Sequence, residues 1–190
     1  VSDNNIIVDG VNQTFDIWDG KIKEITPDEN GNYHIHKTLG EVANLEKELQ
    51  KQSCFDSTLG IAHTRWATNG IVNLNNTHPH LSQNGSIALV HNGIIENVET
   101  IKRKLLGHTF ISDTDSEIVA HLLENNKLTN LDFIDTFKSI SGSYAIAFIS
   151  NKIPNTIFVA KNRCPLYIAK DKDNNGRWYL GTTKTEGSLR

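Results

Sequence analysis

Ile87-Ala88-Leu89-Val90-His91-Asn92-Gly93-Ile94-Ile95-Glu96-Asn97 changes character halfway along its length. The first five residues form a short apolar run bounded by Gly85 and polar neighbours, which reads as a buried strand. Asn92-Gly93 follows directly. That dipeptide serves most often as a tight turn. It also suits a second use, in which the Asn amide and the N–H of Gly93 point at one developing negative oxygen and glycine permits close approach. On this stretch alone both uses stay open.

Working outward, Leu59 to His63 is a second short apolar run and predicts another buried strand. Residues 41–52 read as an amphipathic helix with Val42, Leu45 and Leu49 on one stripe. Further upstream, Ile6-Ile7-Val8, Phe15 to Trp18 and Ile22 to Ile25 are β-type runs separated by Asp-Gly turns. Downstream, Asn97 to Leu106 places Val98, Ile101, Leu105 and Leu106 at helical spacing. Thr114-Asp115-Ser116-Glu117 has the form of a capping box opening a helix that buries Ile118, Val119, Leu122 and Leu123. A third helix over about 131–139 buries Leu131, Ile134 and Phe137. Strands then return at 145–149, 156–160, 166–169 and 178–180. Strands, helices and strands again, without strict βαβ alternation, predict an α+β layered domain.

The bulk properties exclude several classes. With 22% charged and 37% hydrophobic residues, the chain has the balance of a folded domain and not of a disordered one. Net charge is −3 and the Lys and Arg residues are dispersed, so neither nucleic acid nor a membrane surface is the expected partner. No apolar run approaches the ~20 residues of a membrane span. Two cysteines, Cys54 and Cys164, fit a reducing cytoplasm. The absence of methionine suggests that the N-terminus is cut, processed or incompletely represented.

Several side chains besides Asn92 carry possible chemistry. Arg65 follows the apolar run at 59–63, where a guanidinium can hold a carboxylate through two parallel hydrogen bonds with help from Trp66 and Thr68. A salt bridge to a nearby acid is the plainer alternative. Asp115, in the first turn of its helix, can bind an ammonium group or merely complement the helix dipole. His34-Ile35-His36 and His78-Pro79-His80 have a spacing found in metal sites, but no third ligand lies at a telling distance and no metal is expected. His63 and His91 each end an apolar run and read as hydrogen-bonded core histidines. Neither cysteine has the surroundings of an activated thiolate.

The order of these segments is more specific than any one of them. Gly60 to Thr68, Thr77 to His80, Val90 to Asn97, Phe110 to Glu117 and Ser141 to Ala145 resemble the class II glutamine amidotransferase domain, in the form found in glucosamine-6-phosphate synthases. The likeness is strong from residue 60 to about 169 and thinner upstream. It implies an N-terminal nucleophile hydrolase fold, a four-layer αββα sandwich of two antiparallel sheets. It further implies that a cysteine thiolate attacks the glutamine side-chain amide, ammonia leaves, and water clears the thioester. On that basis Arg65, Trp66 and Thr68 bind the α-carboxylate, Asp115 binds the α-amino group, and Asn92 with the Gly93 N–H forms the oxyanion hole. No cofactor is implied. The implied partners are L-glutamine and a sugar isomerase domain of the same parent chain, with oligomerisation through that domain. Residues 1–181 would be the glutaminase domain and 182–190 the start of a linker.

Two departures qualify the resemblance. The family's opening Cys-Gly-Ile strand and a later Arg-Gly-Tyr-Asp-Ser segment are not found, and the chain opens Val1-Ser2-Asp3. Neither Cys54 nor Cys164 matches the nucleophile, so the chain as written is expected to lack the nucleophile segment and to be inactive toward glutamine. Asn69 stands where the synthases usually have His. The competing expectations are an amidotransferase with another ammonia acceptor, of the purine-synthesis type, a glutamine-binding module without catalysis, and a metal protein built on the His-x-His pairs.

Overall fold

The computed structural model describes residues 35–50, 59–64, 72–170 and 178–182. The β-type runs before residue 35 and the turns between them lie outside these residues. Helix α1 spans Val42–Gln50, and β1 (His80–Leu81) and β2 (Ile87–Ile95) form a hairpin. Three helices follow, α2 (Val98–Lys102), α3 (Asp115–Glu124) and α4 (Asn130–Lys138). The described residues end with β3 (Gly142–Ser150), β4 (Ile153–Asn162), β5 (Tyr167–Lys170) and β6 (Trp178–Gly181).

Strands β1 to β4 make one antiparallel sheet in that order, and β5 and β6 pair antiparallel as a second sheet. Among the described residues the protein is thus α+β, with two antiparallel sheets and helices. The continuous apolar runs have a direct cause, because the four-stranded sheet is covered on both faces. Alternate residues Ile87 and Leu89 of β2, with Ile146 and Phe148 of β3, enter a core closed by Ile118, Val119 and Leu123 of α3. The intervening Ala88, Val90 and Ile149 enter a second core with Ile61, against which Ile35 and Leu59 pack. A strand buried on both faces loses its polar alternation. In the larger core Phe148 stacks on Phe158 at 4.8 Å between ring centroids, with Phe133 beside both.

Several local expectations need correction. Residues 59–64 join no strand, although Ile61 is buried as predicted. The helix expected over 97–106 is only α2, followed by turns that end at Gly107 with φ +85°. Ile101 and Leu105 are buried but Leu106 is exposed. The α1 stripe buries only Leu49. In α4, Phe137 is buried while Leu131 is exposed, because Phe133 faces the aromatic core in its place. Among the described residues no helix is long and apolar enough to cross a membrane.

Candidate active site

Strand β2 does not stop at His91. It continues through Asn92 and Gly93, which pair with Ala145 and Tyr144 of β3, so the dipeptide is strand and not turn. Gly93 has φ +127°, and a Cβ there would stand 1.9 Å from the Ser143 carbonyl oxygen. Only glycine fits, since both the backbone conformation and the approach of β3 exclude a side chain. Gly142 on β3 mirrors it, with φ +133° and a would-be Cβ 2.1 Å from the Ile94 carbonyl oxygen. The two strands are pinched together beside Asn92.

The Asn92 side chain is half-buried and held at both ends. Its Oδ1 accepts from His63 Nε2 at 3.0 Å, and its Nδ2 donates to Thr182 Oγ1. An amide nitrogen has two hydrogens. Thr182 takes one of them.

Asp115 is the first residue of α3, and its carboxylate Oδ2 accepts the N–H of Ile95 at 2.7 Å. This bond ties the start of α3 to the end of β2, three residues beyond Asn92. The other oxygen, Oδ1, accepts from Ser116 Oγ at 3.3 Å and lies 3.8 Å from His91 Nδ1. A carboxylate offers about four acceptor positions, so Asp115, whose side chain is 28% exposed, retains capacity for a cation.

Beneath Asp115 the buried Ser116 hydroxyl joins three groups. It donates to Asp115, which leaves its lone pairs to accept from His91 Nδ1 at 2.9 Å and His78 Nε2 at 3.2 Å. That arrangement fixes both tautomers, because each imidazole must present its N–H to the same oxygen. His91 is buried, and burial lowers its pKa below the ordinary imidazole value; Asp115 opposes the shift and His63 reinforces it. His91 is accordingly neutral near pH 7. The His63 and His78 rings lie 4.1 Å apart between centroids, and His78 meets His80 edge to face at 4.6 Å. Both members of His78-Pro79-His80 therefore sit in this polar layer.

The capping box predicted at Thr114 does not form. The Thr114 hydroxyl contacts Ser112 and His80 Nε2 instead of its own helix. Glu117 reaches past it, accepting from Ile111 N at 2.9 Å, Ser112 N at 2.8 Å and Ser112 Oγ at 2.7 Å. Burial raises the pKa of this carboxyl, but the bonds from His121, Ile111 and Ser112 prevail and hold it at about 2. Glu117 thus braces the loop leading to Asp115. On the far side, Asn76 and Asp113 hold the same loop by reciprocal bonds of 2.9 and 3.2 Å.

Of the residues singled out by sequence, Asn92, Gly93 and Asp115 are brought to one end of the larger core. Arg65, Trp66 and Thr68 lie outside the described residues, as do Asn69, His34 and Cys54. Cys164 Sγ contacts Ser143 Oγ at 3.1 Å, against the strand that packs on Gly93. In the sequence neither Ser116 nor Thr182 is assigned to the site, Ser116 reading as part of a capping box, Thr182 as the start of a linker and His63 as a core histidine. Ser116 carried a signal, as a small hydroxyl among acids in a helix's first turn. Thr182 carried none, being 90 positions from its partner. Among the described residues no three His, Cys, Asp or Glu side chains are grouped to hold a metal ion.

A family profile described as a glutamine amidotransferase domain matches residues 63–185. The chain is 39% identical over 178 residues to the glutamine–fructose-6-phosphate aminotransferase (isomerizing) of Francisella tularensis, covering 90% of this chain and 29% of that protein. The protein of the same name from Helicobacter pylori is 43% identical over 145 residues, covering 73% of this chain and 24% of the relative. This chain spans under a third of the length of either. Among solved structures, the glutamine phosphoribosylpyrophosphate amidotransferase of B. subtilis is 29% identical with a TM-score of 0.48, over 62% of this chain and 26% of that one.

Proposed function

The chain belongs to the glutamine amidotransferase domain family, and from that premise we propose that it is the glutamine-hydrolysing part of a cytoplasmic glutamine–fructose-6-phosphate aminotransferase. The observation that carries the reading is the Ile95 N–H bond to Asp115, which brings an anionic carboxylate beside the strand end bearing Asn92 and Gly93. L-Glutamine has a cationic α-ammonium at one end and a polar amide carbonyl at the other, and these groups complement that arrangement.

In this proposal Asp115 holds the α-ammonium by a charge-assisted bond. Arg65, with Trp66 and Thr68, receives the α-carboxylate. The second Nδ2 hydrogen of Asn92 and the N–H of Gly93 meet the amide oxygen as it becomes negative during attack by a thiolate. Because the pinched strands and the two bonds of Asn92 set these donors beforehand, little reorganisation accompanies the reaction. The parent protein supplies the nucleophile and a sugar isomerase domain that takes the ammonia to fructose 6-phosphate.

The test is to incubate the full-length parent protein with glutamine and fructose 6-phosphate and to measure glutamate and glucosamine 6-phosphate. Formation of both in equal amounts is expected. Glutamate without the amino sugar would point to another acceptor, and no glutamate would overturn the reading.

A further inference from the structure

We infer that His63 and Thr182 are positioning residues that clamp the Asn92 amide in the one rotamer able to donate to the reacting glutamine oxygen; this rests on the function proposed above. An asparagine amide on a strand has a soft terminal torsion, and rotating it by half a turn exchanges oxygen for nitrogen. A donor to an oxyanion has to present nitrogen. Nothing in β2 itself enforces that choice, because the backbone ladder leaves the side chain free to turn.

The enforcement comes from outside the strand. Asn92 Oδ1 can only accept, so at 3.0 Å the His63 Nε2 must carry the hydrogen. On the opposite edge the Thr182 Oγ1 accepts from Nδ2. Flipping the amide would set a donor against that Nε2–H, and regaining both bonds would require the imidazole proton to move to Nδ1 and the Thr182 hydroxyl to turn from acceptor to donor. One N–H of Asn92 is then spent and the other is fixed in direction. His63 is itself held by its packing against the His78 ring at 4.1 Å, and His78 is anchored on Ser116 at 3.2 Å, the residue that also bonds Asp115. The orientation of the amide donor is thereby linked to the helix end that carries the ammonium-binding carboxylate. Neither His63 nor Thr182 needs to touch glutamine for this role.

The experiment measures glutamine hydrolysis by the full-length parent protein carrying His63→Leu, His63→Gln, Thr182→Val or Thr182→Ser. His63→Leu removes the donor and Thr182→Val removes the acceptor at nearly constant volume. Each should lower kcat roughly 10- to 100-fold, the scale of a misplaced reacting geometry, while KM for glutamine stays within about threefold. His63→Gln and Thr182→Ser retain the bonding groups and should recover most of the rate. In an Asn92→Ala background, Thr182→Val and His63→Leu should have no further effect on kcat, since they act through the missing amide. Full, independent losses in that background would overturn the inference. Losses confined to KM would do the same, as would a kcat within about twofold of wild type for both His63→Leu and Thr182→Val. A parent protein that shows no glutaminase activity at all would instead overturn the underlying function, and this inference with it.

Discussion

The two halves of β2 obey different rules. From Ile87 to Val90 every side chain is buried, alternate residues enter two cores, and the partner strand answers with large apolar groups, Phe148 standing opposite Leu89. From His91 to Ile95 the strand keeps its register but changes its content to imidazole, amide and glycine, with Ile94 60% exposed. The first half holds the sheet together. The second half uses that rigidity to hold polar groups at fixed positions, which catalysis by preorganised donors requires.

This contrast breaks if truncation in the first half proves harmless. Phe148→Ala removes a ring stacked on Phe158 in the fully buried core and should destabilise the protein by about 3–5 kcal/mol, measured by urea unfolding. Asn92→Ala, only five residues from Ile87 along the same strand, forfeits two side-chain hydrogen bonds and should move the unfolding midpoint much less than Phe148→Ala. Its effect should fall on kcat for glutamine, lowered by roughly 10²–10³, the cost of one oxyanion donor. A kcat within a few-fold of wild type would remove Asn92 from that role.

The loop before α3 sharpens the comparison because its polar bonds serve stability. Glu117 has its pKa depressed from 4.5 to about 2 in the folded protein, so its contribution is complete above pH 4.5 and is lost as pH falls through about 2. That amounts to about 3 kcal/mol. Unfolding free energies from pH 7 down to pH 2 should fall less steeply for Glu117→Gln than for wild type, and parallel curves would contradict the assignment. The smallest effect belongs to Asp115→Asn, which keeps an acceptor for the Ile95 N–H but removes the charge. Losing a charge-assisted bond worth about 1.5–3 kcal/mol should raise KM for glutamine roughly 10- to 100-fold with little change in kcat.

The same two halves explain what could be read in the sequence. The apolar run of 87–91, the α3 face of Ile118, Val119 and Leu123 and the return to strands from residue 145 follow from periodicity, and the structure reproduces them, with β3 starting earlier, at Gly142, and Leu122 of the same face only half-buried. Gly93 was legible as a close-approach residue, yet whether Asn-Gly was turn or strand depended on β3, which meets it some 50 residues later. The capping box failed for a related reason. Glu117 satisfied the local pattern, but Ile111 and Ser112 offered it better donors in the folded loop. Leu59 to His63 had the apolarity of a strand and became buried chain without a ladder, since burial and strand pairing are separate requirements. The bonds of His63 and Thr182 to Asn92 span 29 and 90 positions, beyond any periodic signal.

A crystal structure of the parent protein with L-glutamine bound, its nucleophile disabled, tests the central claim most directly. The glutamine amide oxygen should lie within about 3 Å of Asn92 Nδ2 and its α-ammonium within about 3 Å of the Asp115 carboxylate. Glutamine bound elsewhere, or bound with its ammonium turned away from Asp115, would contradict it.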